Sequence, residues 1–200
     1  TQDTGTSIYI PFTNFEDEDS DFNQTRITVI ANYFRAIKEG ALEITIDDTL
    51  IDKNNVVETY IHCKSLIKDD CKLKNEQHIR DCFTSIETII NPDHSGKEAV
   101  KEFGKFEWYL RVNDALVKGV GVGRKHMLIT KKPERLLKFP NLKNFDMYVD
   151  VTDKEGSDVL LQLENPEHDA FQFDRLDEGP EKENIIKKYS NFVISIRNII

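Results

Sequence analysis

The 200-residue chain is sparing with the residues that staple or punctuate a fold: three cysteines, six prolines, nine glycines and one tryptophan. Three cysteines leave an odd count, and Cys63, Cys71 and Cys82 are spaced too widely for the short pairs of a structural zinc site. Reduced, partly buried thiols are expected, rather than a metal or thiol-catalysis role for Cys63 beside His62. The five histidines (His62, His78, His94, His126, His168) form no HExxH and no His pair at i, i+4, so no metal site is expected. No apolar run approaches the roughly 18–20 residues of a membrane span. No signal-peptide pattern is present either, and the expectation is a soluble, cytoplasmic protein. Positive charge is the scarcer sign: 27 Lys and Arg stand against 36 Asp and Glu, a net charge of −9. That balance disfavours whole-surface affinity for nucleic acid or an anionic membrane, and no aromatic–basic interleaving suggests a nucleic-acid platform.

What is present is bulk for a core. Twelve Phe and six Tyr accompany 38% hydrophobic residues, which argues against global disorder. Polar residues run into the alternating Ser7-Ile8-Tyr9-Ile10, a strand stopped by Pro11. An acidic connector, FEDEDSDFNQ, leads into a helix from Asp21 to about Glu39. Its apolar residues Ile27, Ile30, Phe34 and Ile37 recur at helical steps, and Gly40 is its expected stop. ALEITI (41–46) and TLI (49–51) read as strands about an Asp47-Asp48 turn. Helices are expected over Asn54 to about Lys68 and Glu76 to Ile90, with a turn-rich loop NPDHSGKEA (91–99) after them. FEWYLRV (106–112) is a strong strand; Asn113-Asp114 makes the turn, and ALVKGVGV (115–122) is expected to return antiparallel to it. HMLIT (126–130) and NFDMYVDV (144–151) are further strands, Ser157–Leu163 begins a short helix, and Glu181–Ile200 is a last helix. The expected class is α/β (α+β): a mixed sheet with amphipathic helices and a C-terminal helix.

Two stretches carry candidate chemistry. In VKGVGVGRKHM, Gly119, Gly121 and Gly123 alternate ahead of Arg124 and Lys125. No Ser or Thr follows Lys125, as a Walker loop requires, and no helix opens there, as a dinucleotide fingerprint requires. Alternating glycines leave one strand face bare for another backbone or a ligand. The cations then form either a solvated turn or a site facing an anion such as phosphate. In ENPEHDAFQFDR, several carboxylates, His168 and Arg175 fall close together without a nucleophile, so an ordered, internally hydrogen-bonded loop is favoured over catalysis.

In this order the pieces resemble the post-ATP-site half of a bacterial GHKL-type ATPase, the superfamily of gyrase B, MutL, MORC and the heat-shock chaperones. Gly5-Thr6 followed by a strand looks like the closing motif of that ATP-binding domain, and GRKHMLI with ENPEHDAF looks like the C-terminal half of large bacterial members. The resemblance implies that residues 1–12 are the last strand of a missing ATP-binding domain, or the first strand of this one. Residues 13–163 would then be a transducer-like domain, and 164–200 an ordered loop and helix. It implies that Thr6, with Gly5, contacts the adenine-reading group, and that Arg124, with Lys125 in reserve, reaches the γ-phosphate. ATP and Mg would bind only in the intact protein, because the Glu/Asn helix, the Asp-x-Gly-x-Gly stretch and the lid are absent here. The implied partners are the upstream ATP-binding domain and a second copy in a homodimer. Arg124 should then project from the surface without a buried carboxylate, so that Arg124→Ala leaves folding within about 0.5 kcal/mol. Two readings compete. One is a stand-alone protein-interaction module with its face on Glu164–Phe173 and the last helix. The other is a nuclease-associated domain, weakened by the lack of a carboxylate–lysine cluster on a clear strand.

Overall fold

The computed structural model describes residues 18–67, 76–167 and 169–200, with side chains from residue 22 onward. Gly5, Thr6 and the strand expected over Ser7–Ile10 lie outside the described residues, as do Cys71 and His168.

Helix α1 spans Glu18–Lys38. Ile27, Ile30, Phe34 and Ile37, the stripe expected from the sequence, are all at most 2% exposed. Gly40 ends the segment at φ +73°, and the amides of Gly40 and Ala41 bond back to the carbonyls of Ile37 and Ala36. A left-handed residue there satisfies helix-end carbonyls, which glycine does without a Cβ penalty. Strands β1 (Ile44–Ile46) and β2 (Thr49–Ile51) pair antiparallel about Asp47-Asp48, as expected. Helices α2 (Val56–Leu66) and α3 (Glu76–Ile90) follow.

The main sheet is built from β3 (His94–Val100), β4 (Gly104–Val112), β5 (Gly119–Arg124), β6 (Met127–Thr130) and β7 (Phe145–Val151), in the order β3-β4-β7-β5-β6. All neighbours are antiparallel except β5 and β7, which run parallel. Helix α4 (Lys154–Leu163), a 3-10 turn at Phe173–Arg175 and α5 (Pro180–Ile199) complete the described chain. One face of the sheet packs in a core with α4 and α5, around Phe106, Met147, Val149, Leu160, Tyr189 and Phe192. The other face carries α1, α2 and α3. The α/β class with a mixed sheet and C-terminal helix is therefore observed.

Two local expectations are corrected. The loop expected over 91–99 contains β3, because the open edge of β4 supplies backbone partners from Val100 back to His94. Its side chains stay mostly exposed, and such an edge strand has no apolar alternation to betray it. The return of residues 115–122 against β4 does not form; β7 lies between β4 and β5. All seven residues of β7 are buried, so it takes the centre of the sheet, where both edges are paired.

Register explains the alternating glycines. Gly119, Gly121 and Gly123 stand beside Asp146, Tyr148 and Asp150 of β7. On the far side of β7, Arg111, Tyr109 and Glu107 of β4 stand opposite the same three residues. The face left bare by the glycines is filled by neighbours. A β-carbon at Gly121 would lie 2.9 Å from Cδ of Lys131, 3.1 Å from Leu128 and 3.2 Å from Ser85 Oγ. A β-carbon at Gly123 would collide with Tyr148 Oη and lie 2.8 Å from the Met127 carbonyl oxygen. Gly123→Ala is therefore expected to destabilise the fold by about 1–3 kcal/mol, the range for overpacking a filled core. Adding Tyr148→Phe, which removes the colliding hydroxyl, should recover part of that loss. Chemical denaturation of the two variants checks this; a double variant no better than Gly123→Ala alone contradicts it.

Candidate functional site

The two sequence stretches singled out above meet in space. Arg124 closes β5 on the side facing α4 and α5, in phase with the buried Val120 and Val122. Glu164 follows directly on α4. Arg124 grips it with both arms, Nη2 donating to Oε2 at 2.9 Å and Nε to Oε1. The Arg124 side chain is 16% exposed and that of Glu164 1%. Hydrogen bonding to Glu164 raises the guanidinium pKa, against the desolvation that lowers it. A bidentate pair in this setting is among the stronger polar contacts a protein makes. The expectation of a free, projecting Arg124 is thus corrected: α4 delivers a carboxylate from 40 residues along the chain.

The loop after Glu164 is ordered around one amide. Asn165 Nδ2 donates to Glu167 Oε2 at 2.9 Å and Asp169 Oδ1 at 2.7 Å. Its Oδ1 accepts the amides of Asp169 and Ala170 at 3.0 and 3.2 Å. All four hydrogen-bonding positions of the carboxamide are filled. Arg175 donates to the Glu164 carbonyl. Phe171 and the apolar stripe of α5 are buried in the core.

Lys125 and His126 form the two-residue turn between β5 and β6, with Arg124 paired to Met127. Both take positive φ, +51° and +70°. Hairpins favour that geometry, but Asn and Gly usually supply it; a bulky side chain there carries strain. The strain is held from both sides. The Lys125 amide donates to the Val151 carbonyl at 3.1 Å. The His126 amide donates to Asp150 Oδ1 at 3.1 Å, and its Nδ1 lies 2.7 Å from Oδ2. Asp150 is fully buried. Oδ1 already accepts the His126 amide, and with Oδ2 as acceptor Nδ1 carries the proton of the second bond. The hydrogen bond to Asp150 raises the His126 pKa, against desolvation and the Arg35 charge. Lys125 itself is exposed and has no ion pair among the described residues.

Asp150 has a second partner, which sequence reasoning missed. Arg35 of α1, only 6% exposed, places Nε 3.5 Å from Asp150, Nη2 2.8 Å from Glu107 and Nη1 3.0 Å from Glu39, and lies over the Tyr109 ring at 5.0 Å. At the other end of β7, the buried Asp146 accepts the Thr88 hydroxyl at 2.7 Å and the Lys131 ammonium. The available signal was the alternation of Asp146 and Asp150 with buried apolar residues in FDMYVDV.

Among the described residues, no group of three or more His, Cys, Asp or Glu is placed to hold a metal ion. No described helix is long and apolar enough to cross a membrane. Cys63 and Cys82 are buried free thiols, and burial raises their pKa values to about 11 and about 12, so neither is a thiolate nucleophile near neutrality. Compared with protein-family models, curated proteins and solved structures, the chain matches none.

Removing the Arg124 guanidinium takes a bidentate, charge-assisted contact from a buried carboxylate, so Arg124→Ala is expected to cost about 1.5–3 kcal/mol of stability, the range for a hydrogen bond to a charged group. Replacing both partners by Leu should recover most of it. Urea unfolding tests this, and a cost below about 1 kcal/mol for Arg124→Ala would contradict the strut role. For His126, the folded-state pKa is raised above the unfolded one. Its stabilising contribution is therefore complete below the ordinary histidine value of about 6.5 and lost as pH rises through the folded value. Thermal melts of the wild type and His126→Gln should differ most on the acid side of that ordinary value and converge as the pH rises through the folded one.

Proposed function

We propose that the chain is the transducer-like domain of a GHKL-type ATPase, coupling ATP state to a partner or to dimer geometry. Lys125, not Arg124, is the cation it offers to the γ-phosphate. The supporting observation is the construction of the β5–β6 turn. Two non-glycine residues are held in the left-handed region, a local strain of order 1–3 kcal/mol each, and such strain concentrates at functional positions. Arg124–Glu164 fixes one flank and His126–Asp150 the other. Between them Lys125 has a tethered backbone and an exposed side chain. A cation whose backbone is fixed in advance stabilises developing charge without reorganising. Arg124 is the poorer candidate, because Nε and Nη2 of its guanidinium already bond the buried Glu164 carboxylate and neutralise its charge.

In this proposal ATP and Mg are bound by the upstream domain, and Gly5 and Thr6 belong to its closing segment. The chain alone should not hydrolyse ATP. In protein expressed with its upstream coding region, Lys125→Ala should leave the melting temperature unchanged. Turnover should fall about 10²-fold, the scale of losing one electrostatic donor. Phosphate release by purified protein measures this. Full turnover in a folded Lys125→Ala protein, or an upstream region lacking a Glu-x-x-x-Asn helix and an Asp-x-Gly-x-Gly stretch, would remove the reading.

A further inference from the structure

The glycine-bearing strand also serves its other end. Lys131 follows β6, and its aliphatic stem lies across the face that Gly121 and Gly119 leave bare: Cδ would sit 2.9 Å from a β-carbon at Gly121, and Cε 3.9 Å from one at Gly119. Its ammonium reaches the buried Asp146, whose other oxygen accepts from Thr88. Lys131 is only 11% exposed on its side chain. An ammonium has three donors, and Asp146 uses one of them here. Lys131 and Asp146 line a cleft of about 480 Å³ between α3, the 115–118 segment and residues 131–137. That volume falls in the range of small-molecule sites, about 300–1,000 Å³.

The lining is unusual for an acidic chain. Arg80, Lys118, Lys131 and Lys132 bring four cations against two carboxylates, Asp81 and Asp146. Asp146 is already matched by Lys131 and Thr88. Arg80 pairs with Glu76 across one helical turn, and among the described residues Lys118 donates only to the Phe139 carbonyl, at 3.2 Å. Lys132 has no ion pair among the described residues. The same cleft has apolar walls, and two of them, Val117 and Leu137, are 85% and 59% exposed. We propose that this cleft binds a small organic phosphate, its phosphoryl group at Lys131, Lys118 and Lys132 and its apolar body against Leu116, Val117 and Leu137. With Arg80 paired to Glu76 and Lys131 to Asp146, Lys118 and Lys132 are the two lining cations left without a carboxylate among the described residues, and a phosphate dianion can engage both. The site stands at the N-terminal end of β5, whereas the Lys125 turn stands at the C-terminal end, so the two proposals are independent.

The probe is phenyl phosphate, with inorganic phosphate as the comparison and ionic strength held constant with chloride. Phenyl phosphate should raise the melting temperature of the chain by about 3 °C once well above its dissociation constant. It should also shift the amide resonances of Gly119 and Lys131, and bind about tenfold more tightly than inorganic phosphate because of the apolar wall. Lys118→Ala/Lys132→Ala should weaken binding at least tenfold while the protein stays folded, its ligand-free melting temperature lowered only by the lost bond to the Phe139 carbonyl. Lys125→Ala should leave binding unchanged, which separates failure here from failure of the ATPase reading. The proposal falls if no resonance near Gly119 moves, if phenyl phosphate binds no better than phosphate, or if the double variant binds as well as wild type.

Discussion

Two carboxylates at the centre of the sheet constrain everything packed over them. Asp146 and Asp150 lie on the same face of β7, with Tyr148 between them, and all three are at most 1% exposed. Withdrawing a carboxylate from water costs several kcal/mol unless matched charges and hydrogen bonds offset it. Each partner comes from a different element: Arg35 from α1, His126 from the β5–β6 turn, Thr88 from α3 and Lys131 from beyond β6. These polar pairings join α1 and α3 to the central strand of the sheet, beside the apolar stripes that pack over it. The glycines of β5 belong to the same constraint, since only a strand without side chains on that face leaves room for Lys131 and the Tyr148 hydroxyl.

The opposite face is governed mainly by apolar packing, and its most buried charge pair is Arg124–Glu164. Arg124 and Glu164 tie the tip of β5 to the end of α4, across the boundary between the sheet and the C-terminal elements. The aromatic groups of α5 close the same core: Phe192 stacks on Phe103 at 4.3 Å and meets Phe106 edge-on at 5.2 Å. The β5–β6 turn is thus clamped by polar contacts from both faces of the sheet, and the backbone strain at Lys125 and His126 is tolerable because both neighbours over-determine it.

How much was legible depended on the range of the signal. Helix α1 and its buried stripe, the Gly40 stop, the β1–β2 hairpin and α5 rest on periodicity and turn chemistry within a few residues, and they stand as expected. Strand β3 was invisible because an exposed edge strand owes its existence to its partner and not to its own side chains. The neighbour of β4 was misassigned because a local turn signal, Asn113-Asp114, says nothing about which distant strand enters between. Arg124 was rightly singled out as a distinctive cation, yet its partner lies 40 residues away.

By itself the sequence determined the α/β class, most helices and strands, the absence of a long apolar span and the two stretches that carry Arg124 and Glu164. Tertiary structure alone decided the strand order, the pairing of those two stretches through Arg124 and Glu164, and the burial of Asp146 and Asp150. Local elements follow from backbone propensity and side-chain period, which neighbouring residues carry. Charge pairing inside a fold depends on which surfaces are brought together, and a carboxylate in the sequence reads the same whether water or a guanidinium will face it.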